Sequence, residues 1–255
     1  MEQNIVTNTY FGYQVSEYNN ANVFVIEDLL SHSLCDKLKS FIDTIPLKHV
    51  EYFEGNNVLC NVTTFDTLLQ KNTRQFYKFS LDTHEYNILL NNAQDVTKRI
   101  STNELNNVCL EEIKVLRNKI NDKLSIIKKV LQSVNDGIKI NTICDITLRK
   151  IYGATRLHCD GISDNSTKVS VLSISENKKV FNCKETNVRS ATFLIQLNDD
   201  YEGGIFQFPK QNISIRLKRG SALIFPPYWT HKHHVTEMLN NTYRYTITTW
   251  GCENI

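Results

Sequence analysis

No apolar stretch in the chain approaches the roughly 18 uninterrupted residues that a membrane-spanning helix needs. The opening MEQNIVTNTYFGYQ has no basic segment leading into an apolar run, so no secretory signal is read there. Together these absences set the expectation of a cytoplasmic protein without a membrane partner. Neither sign of charge dominates, with 29 Lys and Arg against 27 Asp and Glu, so a polyanionic partner such as nucleic acid has no electrostatic support. No C-x-x-C pair occurs among the seven cysteines, residues 35, 60, 109, 144, 159, 183 and 252. Their odd number and wide spacing argue against a thiolate zinc site or a disulfide framework, and for reduced thiols packed as small hydrophobes. Internal repeats and low-complexity linkers are also missing. What remains is a composition of 41% hydrophobic and 22% charged residues over 255 positions. That suits a globular chain long enough for one large core, or a core with an extension.

The first legible element is NVFVIEDLLSHSLCDKLKSFIDTI, residues 22–45, which reads as a strand running into a helix. Ser33 and Asp36 have capping-box spacing, and Leu34, Leu38, Phe41, Ile42 and Ile45 fall on one helical face. Residues 50–100 are mixed and turn-rich, with strand-like pieces such as NVTTFDTLL. From Thr102 a long amphipathic helix is expected, because Cys109, Ile113, Leu116, Ile120, Leu124, Ile127, Leu131 and Val134 recur every three or four positions without an intervening Gly or Pro. Its expected role is a scaffold helix covering a sheet. After Gly137 the pattern changes to short strand-like runs separated by turns: TICDITLRKIY, KVSVLSIS, ATFLIQLN, GIFQF, ISIRL, SALIF and YRYTITTW. Strands so spaced, with no helical pattern between them, indicate an antiparallel sandwich or barrel.

Chemistry concentrates in that second half. In an extended segment alternate side chains share a face, so His158 and Asp160 point together while Cys159 points back. An imidazole and a carboxylate so placed can bind one ion, and a second histidine would complete the two-His, one-carboxylate set of non-haem Fe(II) sites. WTHKHHV offers three candidates, His231, His233 and His234. Beyond them Arg244 and Thr246 share a strand face and could grip a carboxylate through a forked guanidinium and a hydroxyl. Gly203 and Gly204 are read as permitting a tight turn between strands.

In order, the His158-x-Asp160 triplet, YEGGIFQFP, GSALIFPPYWTHKHHV, Arg244-x-Thr246 and a closing Trp250 resemble the Fe(II)/2-oxoglutarate-dependent dioxygenases, in their prolyl 4-hydroxylase-like branch. The resemblance covers about residues 146–250 and is only architectural over residues 1–100. It implies an α+β fold with an antiparallel double-stranded β-helix (jelly-roll) core and N-terminal supporting helices. Residues 1–140 would form a helical or mixed scaffold region packed on a catalytic core of residues 141–255, the two making one integrated domain. It implies His158, Asp160 and His233 as iron ligands, with His231 the runner-up for the third because it would share a strand face with His233. It implies Arg244 and Thr246 as the anchor for the far carboxylate of 2-oxoglutarate, and Tyr152 and Thr192 as lining the co-substrate pocket. Thr155 and Gln196 stand where relatives often place aromatic residues.

The cofactors so implied are Fe(II), 2-oxoglutarate and O2, with ascorbate as a supporting reductant. The implied reaction hydroxylates a C–H bond, releasing succinate and CO2, and its expected substrate is a prolyl or other residue of a protein or peptide. Substrate contacts are expected from residues 165–186 and 50–90, as connections beside a rigid scaffold. The alternatives are an oxygenase of the same superfamily acting on free amino acids, small molecules or nucleic acid, and a non-catalytic β-barrel binding protein. A nucleic-acid demethylase usually has a second arginine six residues after the first, where Trp250 stands. A halogenase is disfavoured because Asp160 occupies the coordination position a halide would need.

Overall fold

The computed structural model describes residues 3–44, 59–65, 110–144, 146–161, 171–175, 178–182 and 187–254. Among these the order begins with strands β1 (Ile5–Tyr10), β2 (Tyr13–Tyr18) and β3 (Val23–Ile26), helix α1 (His32–Thr44), strand β4 (Leu59–Thr64) and helix α2 (Leu110–Val134). Then follow β5 (Thr142–Ile143), β6 (Thr147–Tyr152), β7 (Thr155–His158), β8 (Val171–Ser175), β9 (Lys178–Asn182) and β10 (Asn187–Gln196). The chain continues through β11 (Glu202–Gly203), β12 (Phe206–Phe208), β13 (Ile213–Ile215), β14 (Ala222–Phe225), β15 (His233–Val235), β16 (Met238–Leu239) and β17 (Arg244–Asn254). None of the described helices is long and apolar enough to cross a membrane.

Among the described residues every strand pairing is antiparallel. The large sheet runs β1-β2-β3-β14-β10-β17-β6-β4, with β5 also on β17, and the second sheet runs β13-β12-β15-β7. Together they form the jelly-roll expected of the core, in an α+β chain. The N-terminal segment does more than buttress it, since β3 pairs with β14 and β4 with β6, so both extend the main sheet.

The central strands are buried on both faces, because each face has its own cover. Phe24, Ile26, Phe193, Ile195, Ile224 and Ile247 pack into one cluster with α1 and α2. Their alternates Val23, Val25, Leu194, Leu223 and Phe225 pack against Phe206, Phe208, Ile213, Ile215 and Val235 of the second sheet. The strand sequences therefore read as continuous apolar runs such as ALIF. The stripe of α2 is as expected over Ile113, Leu116, Ile120, Leu124, Ile127 and Leu131, each at most 2% exposed. Cys109 and residues 102–108 lie outside the described residues, as do Ile45 and most of residues 50–100.

Helix α1 begins differently from the capping-box reading. Ser31, not Ser33, caps it: the Ser31 hydroxyl accepts the Leu34 N–H at 3.3 Å, and its carbonyl accepts the N–H groups of Leu34 and Cys35. Ser33 already lies within the helix and shares a hydroxyl contact with Ser31. Asp43 ties the helix to the sheet, taking a hydrogen bond from the Tyr245 hydroxyl and an ion pair from Lys150, both at 2.7 Å.

Candidate active site

The second sheet carries two histidines into register. β7 ends at His158, β15 begins at His233, and the two residues face each other across the pairing. Their rings lie 4.5 Å apart between centroids. Asp160 follows β7 directly and places Oδ1 3.3 Å from His158 Nε2 and 3.8 Å from His233 Nε2. One donor atom from each of the three falls within 4.8 Å of the others, an arrangement that could hold a metal ion.

Which nitrogens face the centre is decided by backbone carbonyls. His158 Nδ1–H donates to the Arg156 carbonyl at 2.8 Å, and His233 Nδ1–H donates to that of His231 at 3.1 Å. Both lone pairs are thereby left on Nε2, the outer hydrogen bond that orients a ligating imidazole. His233 is encased by Phe206, Phe208 and Phe225. This burial pushes its pKa down to about 4 against the opposing pull of Asp160, so the ring is neutral at pH 7. Burial works against ionisation of Asp160 as well. There the close contacts of His158 and His233 and a hydrogen bond from Thr192 outweigh it, and the carboxyl is held far below the usual carboxylate range.

Asp160 is braced from the large sheet. Thr192 Oγ1 on β10 donates to Asp160 Oδ2 at 2.9 Å, and Arg189 Nη1 donates to the Asp160 carbonyl at 2.6 Å. The Arg189 guanidinium lies 3.7 Å from the centroid of Trp250. Thr192 thus holds the Asp160 carboxylate. Arg189 went unnoticed in the sequence, where nothing links a strand arginine to a carbonyl 29 residues earlier.

Alternate residues of β17, namely Arg244, Thr246, Thr248 and Trp250, share the face that carries Thr192 and Leu194. Leu194 belongs to the cluster between the two sheets, which sets this face toward the second sheet. Arg244 is 2% exposed, and its guanidinium stands 4.6 Å from the centroid of Phe206. The hydroxyls of Thr246 and Thr248 and the indole N–H of Trp250 are buried with no hydrogen-bond partner among the described residues. Buried polar groups are rarely left so, and each one here can serve a polar guest. Arg149, opposite Thr246 on β6, was also missed: its charge opposes protonation of His158, and its Nε is buried without a hydrogen-bond partner.

Other sequence candidates lie elsewhere. Tyr152 does not join the site: on β6, Arg149 and Ile151 share the face of Arg244, so alternation sends Tyr152 to the opposite face. There its ring is 5.6 Å from Tyr243 and its hydroxyl donates to Asn241. His231 ends a short 3-10 turn before β15, so the strand alternation does not reach it. Its Nε2–H donates to the Ala21 carbonyl at 2.7 Å. His234 points away from His233 by the same alternation. Thr155 accepts the Val235 N–H at 2.7 Å, and Gln196, opposite Thr246, donates to Asn198 and the Tyr245 carbonyl. Gly203 and Gly204 have φ of 72° and 61° and lie against the backbone of Glu237 and the side chain of Met238, where a Cβ would collide. Their small size serves close approach to β16. Of residues 165–186, only β8 and β9 are described, and they form a hairpin.

The donor set is one that suits iron(II): two imidazoles and one carboxylate, all to one side of a shared centre. A buried guanidinium beside an unpartnered buried hydroxyl likewise suits a dicarboxylate.

Residues 151–251 match the family model described as the 2OG-Fe(II) oxygenase superfamily. The 2OG complex of a viral collagen prolyl hydroxylase from Paramecium Bursaria Chlorella virus-1 superposes with a TM-score of 0.50 at 16% identity, covering 92% of this chain and 97% of that one. A truncated form of the same enzyme gives 0.51 at 14% identity, with 92% and 90% covered. A prolyl hydroxylase from Trichoplax adhaerens, in complex with a hypoxia inducible factor peptide fragment, gives 0.47 at 14% identity, with 92% and 84% covered. At these identities the likeness to the viral enzyme is one of fold. No curated protein matches the chain by sequence.

Proposed function

We propose that this chain, whose residues 151–251 match the model of the 2OG-Fe(II) oxygenase superfamily, hydroxylates a prolyl residue of a protein or peptide. The observation that carries this reading is the meeting of His158, Asp160 and His233 donor atoms within 4.8 Å of one another, in a chain that also buries Arg244 and Thr246 between its sheets. His158, Asp160 and His233 would hold Fe(II), and Arg244 with Thr246 would hold the distal carboxylate of 2-oxoglutarate. With both bound, the decarboxylation of 2-oxoglutarate to succinate and CO2 by O2 supplies the oxidising power for a C–H bond.

The residues of the chain do the rest by position. The Arg156 and His231 carbonyls keep both imidazole lone pairs turned inward. Thr192 and Arg189 keep the Asp160 carboxylate and its backbone in place. Phe206, Phe208 and Phe225 shield His233 from water, so electrostatic interactions inside are stronger than at the surface.

The substrate half rests on the surface beside Asp160. The Gly161 N–H donates to the Pro227 carbonyl at 2.6 Å, which brings the loop carrying Tyr228 and Trp229 against the ligand turn. Those two side chains are 43% and 64% exposed, and exposed aromatic rings suit extended proline-containing segments. The fold shared with a viral collagen prolyl hydroxylase agrees with this choice.

The test is succinate release from 2-oxoglutarate with Fe(II), ascorbate and oxygen, in wild type and in Asp160→Ala and His233→Ala. Turnover stimulated by a proline-containing peptide and lost in both variants is expected. Stimulation by free amino acids alone would overturn the peptide assignment, and equal turnover in the variants would overturn the iron site.

A further inference from the structure

Cys144 and Cys252 meet far apart in sequence, and no step of the proposed reaction uses them. Their Sγ atoms are 2.9 Å apart. The segments that carry them are fastened together on both sides of this contact. Cys144 N–H donates to the Trp250 carbonyl at 2.9 Å, Asn141 N–H donates to the Cys252 carbonyl at 2.8 Å, and the Thr249 hydroxyl donates to the Cys144 carbonyl at 2.8 Å. β5 pairs with β17 at this same place, Thr142 opposite Cys252. The two thiols therefore need only a small closing movement, within backbone already held at strand spacing, to reach bonding distance.

We propose that Cys144 and Cys252 form a thiol–disulfide site, oxidised by exchange with a small disulfide such as glutathione disulfide, which staples the start of the core to its last strand. Cys144 is the more accessible of the two, being half-buried while Cys252 is buried. Its thiolate attacks glutathione disulfide and releases one glutathione. The Cys252 sulfur then attacks the Cys144 sulfur of the mixed disulfide, releasing the second glutathione. Two protein thiols are oxidised, one glutathione disulfide is reduced, and the two thiol protons leave on the released glutathiones. Contact with Cys144, then burial, raises the Cys252 pKa, which suits it to the second, intramolecular step, where proximity compensates for a low thiolate fraction.

The position gives the bond a mechanical consequence. The loop it closes spans residues 144–252, which includes β6, β7, β10, β14 and β15. Closing a loop of roughly a hundred residues removes much of the freedom of the unfolded chain. Cys252 also lies opposite Arg189, the residue that holds the Asp160 carbonyl. The staple therefore fastens the strand end that faces the brace of the site.

The full chain, equilibrated in mixtures of reduced and oxidised glutathione, would be quenched with iodoacetamide, denatured and mapped by peptide mass. The expected result is one cross-linked peptide pair joining Cys144 and Cys252, two hydrogens lighter than the reduced pair. It should come with a rise in unfolding temperature of about 10 °C. Cys144→Ser and Cys252→Ala should each abolish that rise while leaving the reduced protein folded. Cys144→Ser, at the half-buried position, keeps the test valid if Cys252→Ala does not fold. Full alkylation of both residues in the most oxidising mixture would overturn the site, and a cross-link without a rise in unfolding temperature would overturn the staple.

Discussion

Replacing Thr192 by Val tests the idea that the large sheet aims the ligand of the small one. The Thr192 hydroxyl is the side-chain donor to Asp160 Oδ2, at 2.9 Å, and Thr192 is 1% exposed. Valine fills the same volume, so the change removes one hydrogen bond and little packing. A hydrogen bond to a charged group contributes about 1.5–3 kcal/mol, and about 1.4 kcal/mol corresponds to a factor of ten. If that energy is what keeps Oδ1 turned toward the two Nε2 atoms, losing it weakens metal binding by roughly 10–100-fold, the range seen when outer partners of metal ligands are removed. The assay is titration of the apoprotein with Co(II) under anaerobic conditions, followed by its visible absorption. Thermal unfolding without metal would verify that the fold is kept. Thr192→Ser retains the donor and should bind within about threefold of wild type, well under 1 kcal/mol. The reasoning is refuted if Thr192→Val binds Co(II) as tightly as wild type, or if the serine variant loses as much as the valine one.

Three further outcomes follow from the same geometry. Arg244→Ala should raise the 2-oxoglutarate concentration needed for half-maximal turnover by about 100-fold or more, since a buried charged partner is removed, while Co(II) affinity stays near wild type. His231→Ala should keep metal binding and His233→Ala should lose it, because His231 spends its Nε2–H on the Ala21 carbonyl; equal loss in both, measured by the same Co(II) spectra, would contradict the assignment. Leu124→Ala, in the buried stripe of α2, should lower stability to urea by about 2–5 kcal/mol. A loss under about 1 kcal/mol would mean that the helix is not part of the cooperative core.

Some of this was legible because it depends on period alone. The stripe of α2 and the runs ATFLIQLN and SALIF each state their element directly, since a helix repeats every three to four residues and a doubly covered strand is apolar throughout. His158 and Asp160 were readable as a pair for the same reason: two residues apart on an extended chain share a face. Where local signals compete, the reading slipped. Ser31 and Ser33 both suit a helix start, and only the backbone hydrogen bonds distinguish them. The hairpin of β1 and β2 was not seen at all, because β1 is largely exposed, β2 is mostly half-buried, and neither carries a clear apolar pattern.

The sequence by itself determined the strand-rich second half, the long covering helix and the supply of imidazole, carboxylate and guanidinium groups, because spacing and residue type are local properties. Only the tertiary structure decided which groups meet. Tyr152 lies on the outer face because Ile151 takes the inner one. His233 rather than His231 faces Asp160 because a turn interrupts the alternation between them. Thr192, Arg189 and Arg149 acquired their places, and Cys144 came to Cys252, through strand pairings between distant parts of the chain. The register of such pairings is set by how whole sheets cover one another, and no short window of sequence contains that information.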